Sequence, residues 1–238
     1  MRAALMLFIL ISCQSASAQF EMQELKSSKP GIYIAVTTYP HFRETSPLTR
    51  LANSQIDDWV RDDQDRYITA VTGEYGDGMR EINQEMAKEY GGKASNDAWE
   101  YSVGCRVTSF RPRNLISVLC RVFEYSGGAH PMTSYQVFNF GTLAGQERVL
   151  TLSDFFREGT SLPNGIGKVI IRKLKSPGGN SVGRIELNDN EVDKFVVEPD
   201  GLRFVFDQCE LSCPAHELEA KLKIQDLGPD FRKDLLKK

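Results

Sequence analysis

Residue types able to do chemistry are scarce in this chain: five cysteines and three histidines among 238 residues. Cys13 sits in an N-terminal apolar stretch, which leaves Cys105, Cys120, Cys209 and Cys213 as an even set able to form two disulfides in an oxidising compartment. Trp99, Tyr101, Val103, Cys105 and Val107 alternate with mostly small or polar residues, and Ile116, Val118, Cys120 and Val122 do the same beyond the turn signal Arg111-Pro112-Arg113-Asn114. Both runs read as strands. A hairpin centred between Pro112 and Arg113 sets Val103 against Val122, Cys105 against Cys120 and Val107 against Val118. The apolar faces then coincide without any use of the cysteines, so the spacing predicts a cross-strand Cys105–Cys120 bond, worth roughly 3 kcal/mol in the chain-entropy picture. Cys209 and Cys213 close a tighter loop around Glu210, Leu211 and Ser212. That spacing is one residue too long for a dithiol redox motif. Zinc would require the two cysteine pairs to meet, or His216 to join Cys209 and Cys213; we expect no metal and no cofactor.

The histidines stand apart from one another in sequence. His41 follows Tyr39-Pro40 at a strand end, His216 lies beside the last cysteine, and His130 belongs to the loop Ser126-Gly127-Gly128-Ala129-His130-Pro131. Two readings of that loop stand. Gly127 and Gly128 can bring free backbone amides close to a ligand, with His130 and Tyr135 completing a binding site; or the glycines turn the chain between two strands while His130 packs on Tyr125 or Tyr135. The metalloprotease, phosphate-cradling and nucleophile-elbow motifs are all absent. The carboxylate pairs Asp57-Asp58 and Asp62-Asp63 are adjacent on a helix, so they do not converge on one substrate and read as solvated surface.

The elements that position these residues follow from punctuation and periodicity. A strand runs from Gly31 to Tyr39 and ends at Pro40. Ser46 as N-cap with Pro47 in the first turn opens a helix striped by Leu48, Ala52, Ile56, Trp59, Val60, Tyr67 and Val71, and Gly73 stops it. A second helix spans about Asp77 to Tyr90, with Met79, Ile82, Met86 and Tyr90 on a core-facing stripe. After the cysteine hairpin come a strand from Tyr135 to Phe140, a turn over Gly141 to Gly145, and a short helical turn through Phe156. A helix through Ile166, Val169, Ile170 and Leu174 precedes a hairpin folded at Glu198-Pro199-Asp200-Gly201. A last strand holds Leu218, Ala220, Leu222 and Ile224. Hairpins interspersed with helices point to an α+β fold, a mostly antiparallel sheet with helices packed on one face.

Composition bounds the function class. With 29 basic against 32 acidic residues and a net charge of -3, the chain lacks the basic face that a nucleic-acid binder needs. Arg2, the apolar run Ala3 to Ile11 and Ala16-Ser17-Ala18 form an export signal over residues 1–18. That run is too short to span a bilayer, which takes about 20 residues, and the rest of the chain holds no transmembrane segment. Leu10-Ile11-Ser12-Cys13 offers a second cut, in which Cys13 is lipidated and Gln14 to Ser28 serve as a polar tether. We expect a periplasmic or secreted monomer, or one lipid-anchored at the envelope through Cys13.

The stretch from Ile116 to Phe156, with a strand ending in Tyr125, Gly127-Gly128-Ala129-His130, the aromatic strand ending Phe138-Asn139-Phe140, and Thr151-Leu152-Ser153-Asp154-Phe155-Phe156, resembles the RsiV-like domain of unknown function. Phe195 to Phe206 resembles that family's second block. Tyr39-Pro40 and the helix with Asn53 and Ile56 resemble a companion domain that precedes it. The resemblance implies a companion subdomain over 19–97 and an RsiV-like domain over 98–238. It also implies an exported binding module facing the cell wall, with no chemistry of its own, whose ligand is a lysozyme-like protein or peptidoglycan. The competing expectation is a cell-wall hydrolase using His130 with a carboxylate. The chain departs from the family at Gly141, where members often carry Asp, and at Cys209 to His216.

Overall fold

A computed structural model describes residues 19–89, 98–126, 131–157, 162–174, 187, 192–211 and 218–236. Its order is β1 (Phe20–Lys29), β2 (Tyr33–Phe42), α1 (Pro47–Thr72), α2 (Glu74–Glu89), β3 (Trp99–Arg111), β4 (Leu115–Tyr125), β5 (Met132–Leu143), β6 (Gln146–Val149), α3 (Leu162–Leu174), β7 (Phe195–Glu198), β8 (Gly201–Phe206) and β9 (Leu218–Lys223). Strands β1 to β6 form one sheet in chain order and β7 to β9 a second. Every pairing is antiparallel except β2 with β3, so the α+β, mostly antiparallel class stands. The large sheet draws β1 and β2 from residues 19–97 and the rest from beyond.

Four layers explain the hydropathy. Strand β4 is buried on both faces from Leu115 to Cys120, which is why Leu115-Ile116-Ser117-Val118-Leu119-Cys120 reads as a nearly unbroken apolar run. Ile116, Val118 and Cys120 face the α1 stripe of Leu48, Ala52, Ile56 and Val60. Leu119 points the other way, onto Val196 and Val205 of the small sheet. The far side of that sheet buries Phe195, Phe204 and Phe206 with Ile166, Ile170 and Leu174 of α3. Polar side chains knit the sheets together. Ser117 Oγ accepts from the Val197 amide at 2.9 Å and donates to Asn139 Oδ1 at 2.7 Å, while Asn139 Nδ2 donates to the Phe195 carbonyl at 2.8 Å. All are buried, so each satisfied bond spares a desolvation penalty.

The cysteine hairpin has the register expected, Val103 with Val122, Cys105 with Cys120 and Val107 with Val118, and Cys105 and Cys120 are disulfide-bonded. A bulge then shifts the ladder between Val107 and Ser109. Cys209 is also disulfide-bonded and holds φ 64°; Cys213 and His216 lie outside the described residues. Helix α1 starts where its cap predicts: the Thr49 amide donates to Ser46 Oγ at 3.2 Å, and that hydroxyl donates to the Pro112 carbonyl, tying the helix to the β3–β4 turn. Ala144 and Gly145, with φ 51° and 78°, form the two-residue β5–β6 turn. A Cβ at Gly141 would meet the Leu150 side chain, so the aspartate found in the resembling family has no room here.

Several expectations need correction. Ile224 is not in the last strand, which ends at Lys223, but opens a short helical turn. Gly141 to Leu143 belong to β5 rather than to the turn. Residues 20–28 of the supposed polar tether belong to β1, an edge strand whose half-buried face, Gln23, Leu25 and Ser27, is too polar to read as an apolar stripe. Pro40 does not end β2 but lies inside it, paired with Met22; the parallel β3 ladder stops at Thr38, so the missing amide falls where only β1 is alongside. Ile82 and Met86 are each 52% exposed rather than core, because α2 packs mainly along α1 and this part of its stripe faces outward. Asp63 is not solvated surface: it is 6% exposed.

Candidate functional site

Helix α1 and the large sheet diverge beyond the disulfide, and the space between them is a cleft of about 640 Å³. On α1 the spacing of Trp59, Asp63, Arg66, Tyr67 and Ala70 sets all of them on one face. Across the cleft, Trp99 and Tyr101 of β3, Val122 and Glu124 of β4, and Met132, Ser134 and Gln136 of β5 alternate onto the sheet face that α1 covers elsewhere. Tyr75 from α2 closes one side.

The aromatic wall is ordered by contact. Tyr67 and Tyr101 stack with centroids 4.7 Å apart, Tyr33 meets Tyr67 edge-on at 6.4 Å, and the Arg80 guanidinium sits 5.3 Å over the Trp99 ring. Asp63 is the buried charge of the site. It accepts from the Tyr101 hydroxyl and pairs with Arg66, three residues on along the helix. Burial raises the Tyr101 and Tyr67 hydroxyls above the usual phenol range, with Glu124 adding to the effect. Burial also raises the Glu124 carboxyl, against the opposing pull of Arg66.

Among the described residues, two groups in the cleft have no partner. Tyr67 is 6% exposed and its hydroxyl is buried without a hydrogen bond, a state that costs folding energy unless something else completes it. Glu124 feels the charge of Arg66, yet no hydrogen bond or ion pair holds its carboxylate.

The residues singled out from sequence are placed unevenly. Gly127, Gly128 and His130 lie outside the described residues, as does Cys13; Ser126 and Met132, either side of that loop, border the cleft. Tyr135 also borders it, but its ring packs on the opposite sheet face against Leu119, Val196 and Val205. The inward places on β5 belong to Ser134 and Gln136. His41 is elsewhere, with Nε2 3.4 Å from Asn53 Nδ2. Sequence reasoning missed Asp63, Arg66 and Glu124. The signal available for Asp63 was its position in register with Trp59 and Tyr67 on the apolar stripe of α1. Among the described residues no group of three or more His, Cys, Asp or Glu could hold a metal, and no helix is long and apolar enough to cross a membrane.

No protein-family model matches the chain. Over 103 residues it is 30% identical to Esterase Rv3036c of Mycobacterium tuberculosis, a match covering 42% of this chain and 44% of that protein. The chain thus spans less than half the length of the curated relative it matches. Two crystal structures are similar across nearly the whole chain. A DUF3298 family member, BF2082 of Bacteroides fragilis, has a TM-score of 0.62 at 16% identity, covering 91% of this chain and 95% of that one. A second, PA4972 of Pseudomonas aeruginosa, has a TM-score of 0.54 at 12% identity, covering 91% and 96%. The chain therefore has the fold of these DUF3298 proteins.

Proposed function

We propose that this protein is an exported, envelope-facing binding module of the RsiV-like type, and that its ligand is a peptidoglycan fragment seated in the α1–sheet cleft. The observation that carries the reading is the cleft's composition. The half-buried Trp59 and the exposed Tyr75 offer ring surface to a sugar, backed by the buried rings of Trp99, Tyr67 and Tyr101, while the Tyr67 hydroxyl and the Glu124 carboxylate, without a partner among the described residues, supply polar contacts. Export rests on the signal over 1–18 and accords with the Cys105–Cys120 disulfide. A concave site of this size suits an oligosaccharide or short peptide better than the surface of a folded protein. The binding role expected of Gly127, Gly128 and His130 belongs to the same reading.

Both tryptophans of the chain line the cleft, so ligand entry should change the intrinsic fluorescence. Titration of the oxidised protein with soluble muropeptides, alongside co-sedimentation with purified sacculi, is the direct test. Saturable quenching and co-sedimentation support the proposal. Absence of both, with stoichiometric inhibition of lysozyme in a muramidase assay, would transfer the module to a protein ligand.

A hydrolase is the second reading, favoured by the name of the mycobacterial relative and by Glu124, Ser126 and Ser134 lining the cleft. It requires turnover of a p-nitrophenyl ester or of sacculi by the protein alone, abolished in His130→Ala at unchanged melting temperature.

A further inference from the structure

We infer that the cleft recognises a ligand bearing an organic ammonium group, with the Glu124 carboxylate as its counter-ion. This rests on the reading of the cleft as a wall-ligand site and names the chemistry that site selects. The argument is one of which charges are already used. Asp63 is buried and spent, accepting from Tyr101 and pairing with Arg66. The Arg66 guanidinium is correspondingly engaged, its side chain otherwise 76% exposed. Glu124 lines the same cleft with no bond to satisfy it. Its neighbours across the strands are Tyr101 and Met132, and neither can neutralise it. Among the described residues that line the cleft, two carboxylates thus face one guanidinium, the nearby Arg80 being paired with Asp77, and the Glu124 charge is the one left open.

Aromatic surface makes the same selection. The wall already holds one cation, Arg80 over Trp99 at 5.3 Å, and the Tyr75 ring is 62% exposed at the cleft edge, available to a second. The Tyr67 hydroxyl, buried and unpartnered, adds an acceptor for an N–H donor. Burial without a partner is also why the Glu124 carboxyl is held above its usual range; a bound ammonium would offset that penalty. In wall material such a group comes from a glucosamine lacking its acetyl or from the diamino acid of a stem peptide.

The test separates these sources. Tryptophan fluorescence of the oxidised protein is titrated with a glucosamine tetramer, its N-acetylated counterpart and a diaminopimelate-containing tripeptide, for the wild type and for Glu124→Gln. One of the two amine ligands should bind about tenfold more tightly than the acetylated tetramer, as expected for one charge-assisted contact. Glu124→Gln should erase that difference while leaving the melting temperature unchanged or higher. Equal binding of the acetylated tetramer, or amine binding untouched by Glu124→Gln, overturns the inference and leaves wall binding standing. No quenching by any of the three overturns both.

Discussion

The two sides of the large sheet solve burial differently. On the α3 side, residues such as Phe155, Phe195, Phe204 and Phe206 form a core in which no charged side chain is buried among the described residues. On the α1 side, the core of Ile56, Val60, Val118 and Phe140 gives way along the same helix to buried Gln64 and Asp63, an unpartnered Tyr67 hydroxyl and open space. A scaffold that only had to fold would gain by filling that space with apolar side chains. Retaining a buried carboxylate and an orphan hydroxyl costs stability, and such costs concentrate where a ligand completes the interactions.

The sharpest way to separate the two sides is to break the apolar one. Phe204→Ala should cost about 3–5 kcal/mol, read as a fall in denaturant midpoint, with ligand-induced tryptophan quenching intact under native conditions. Removing the Cys105–Cys120 bond as a double alanine variant should cost about 3 kcal/mol, and reductant should lower the wild-type melting temperature toward that of the variant. Asp63→Ala strips the Tyr101 hydroxyl of its acceptor, at about 1–3 kcal/mol, and should also weaken cleft binding, because it frees Arg66. Tyr67→Phe removes the orphan hydroxyl; stability should rise, by about 1 kcal/mol, while ligand affinity falls, the reverse of the Phe204→Ala pattern.

Acidity provides a milder probe. The fold raises the Glu124 carboxyl, so it favours the protonated form. That contribution to stability is present below the ordinary glutamate range and is lost as pH rises through the folded value. Glu124→Gln should flatten this part of the melting-temperature profile, and an unchanged slope would locate the pH dependence elsewhere.

Local signals carried much of the fold. The Ser46-Pro47 cap, the Glu198-Pro199-Asp200-Gly201 hairpin and the Cys105–Cys120 register were all legible, because each is decided by residues close in sequence or by strict alternation across one short turn. Strand β1 was not, since a solvated edge strand needs no apolar face to pair. Helix α2 misled in the opposite sense: its stripe of Met79, Ile82 and Met86 has core periodicity, but Ile82 and Met86 find no second layer to cover them.

The cleft divides the same way. Helical spacing alone aligns Trp59, Asp63 and Tyr67, and strand alternation alone aligns Trp99 with Tyr101 and Val122 with Glu124. Whether Asp63 is solvated or buried depends on Tyr101, 38 positions away, arriving over that face of the helix. Sequence by itself determined most of the elements, the cap of α1 and the Cys105–Cys120 disulfide, because their free energies are local. Only the tertiary structure decided which polar groups are desolvated and which of them lack a partner, because desolvation belongs to the packing of whole layers.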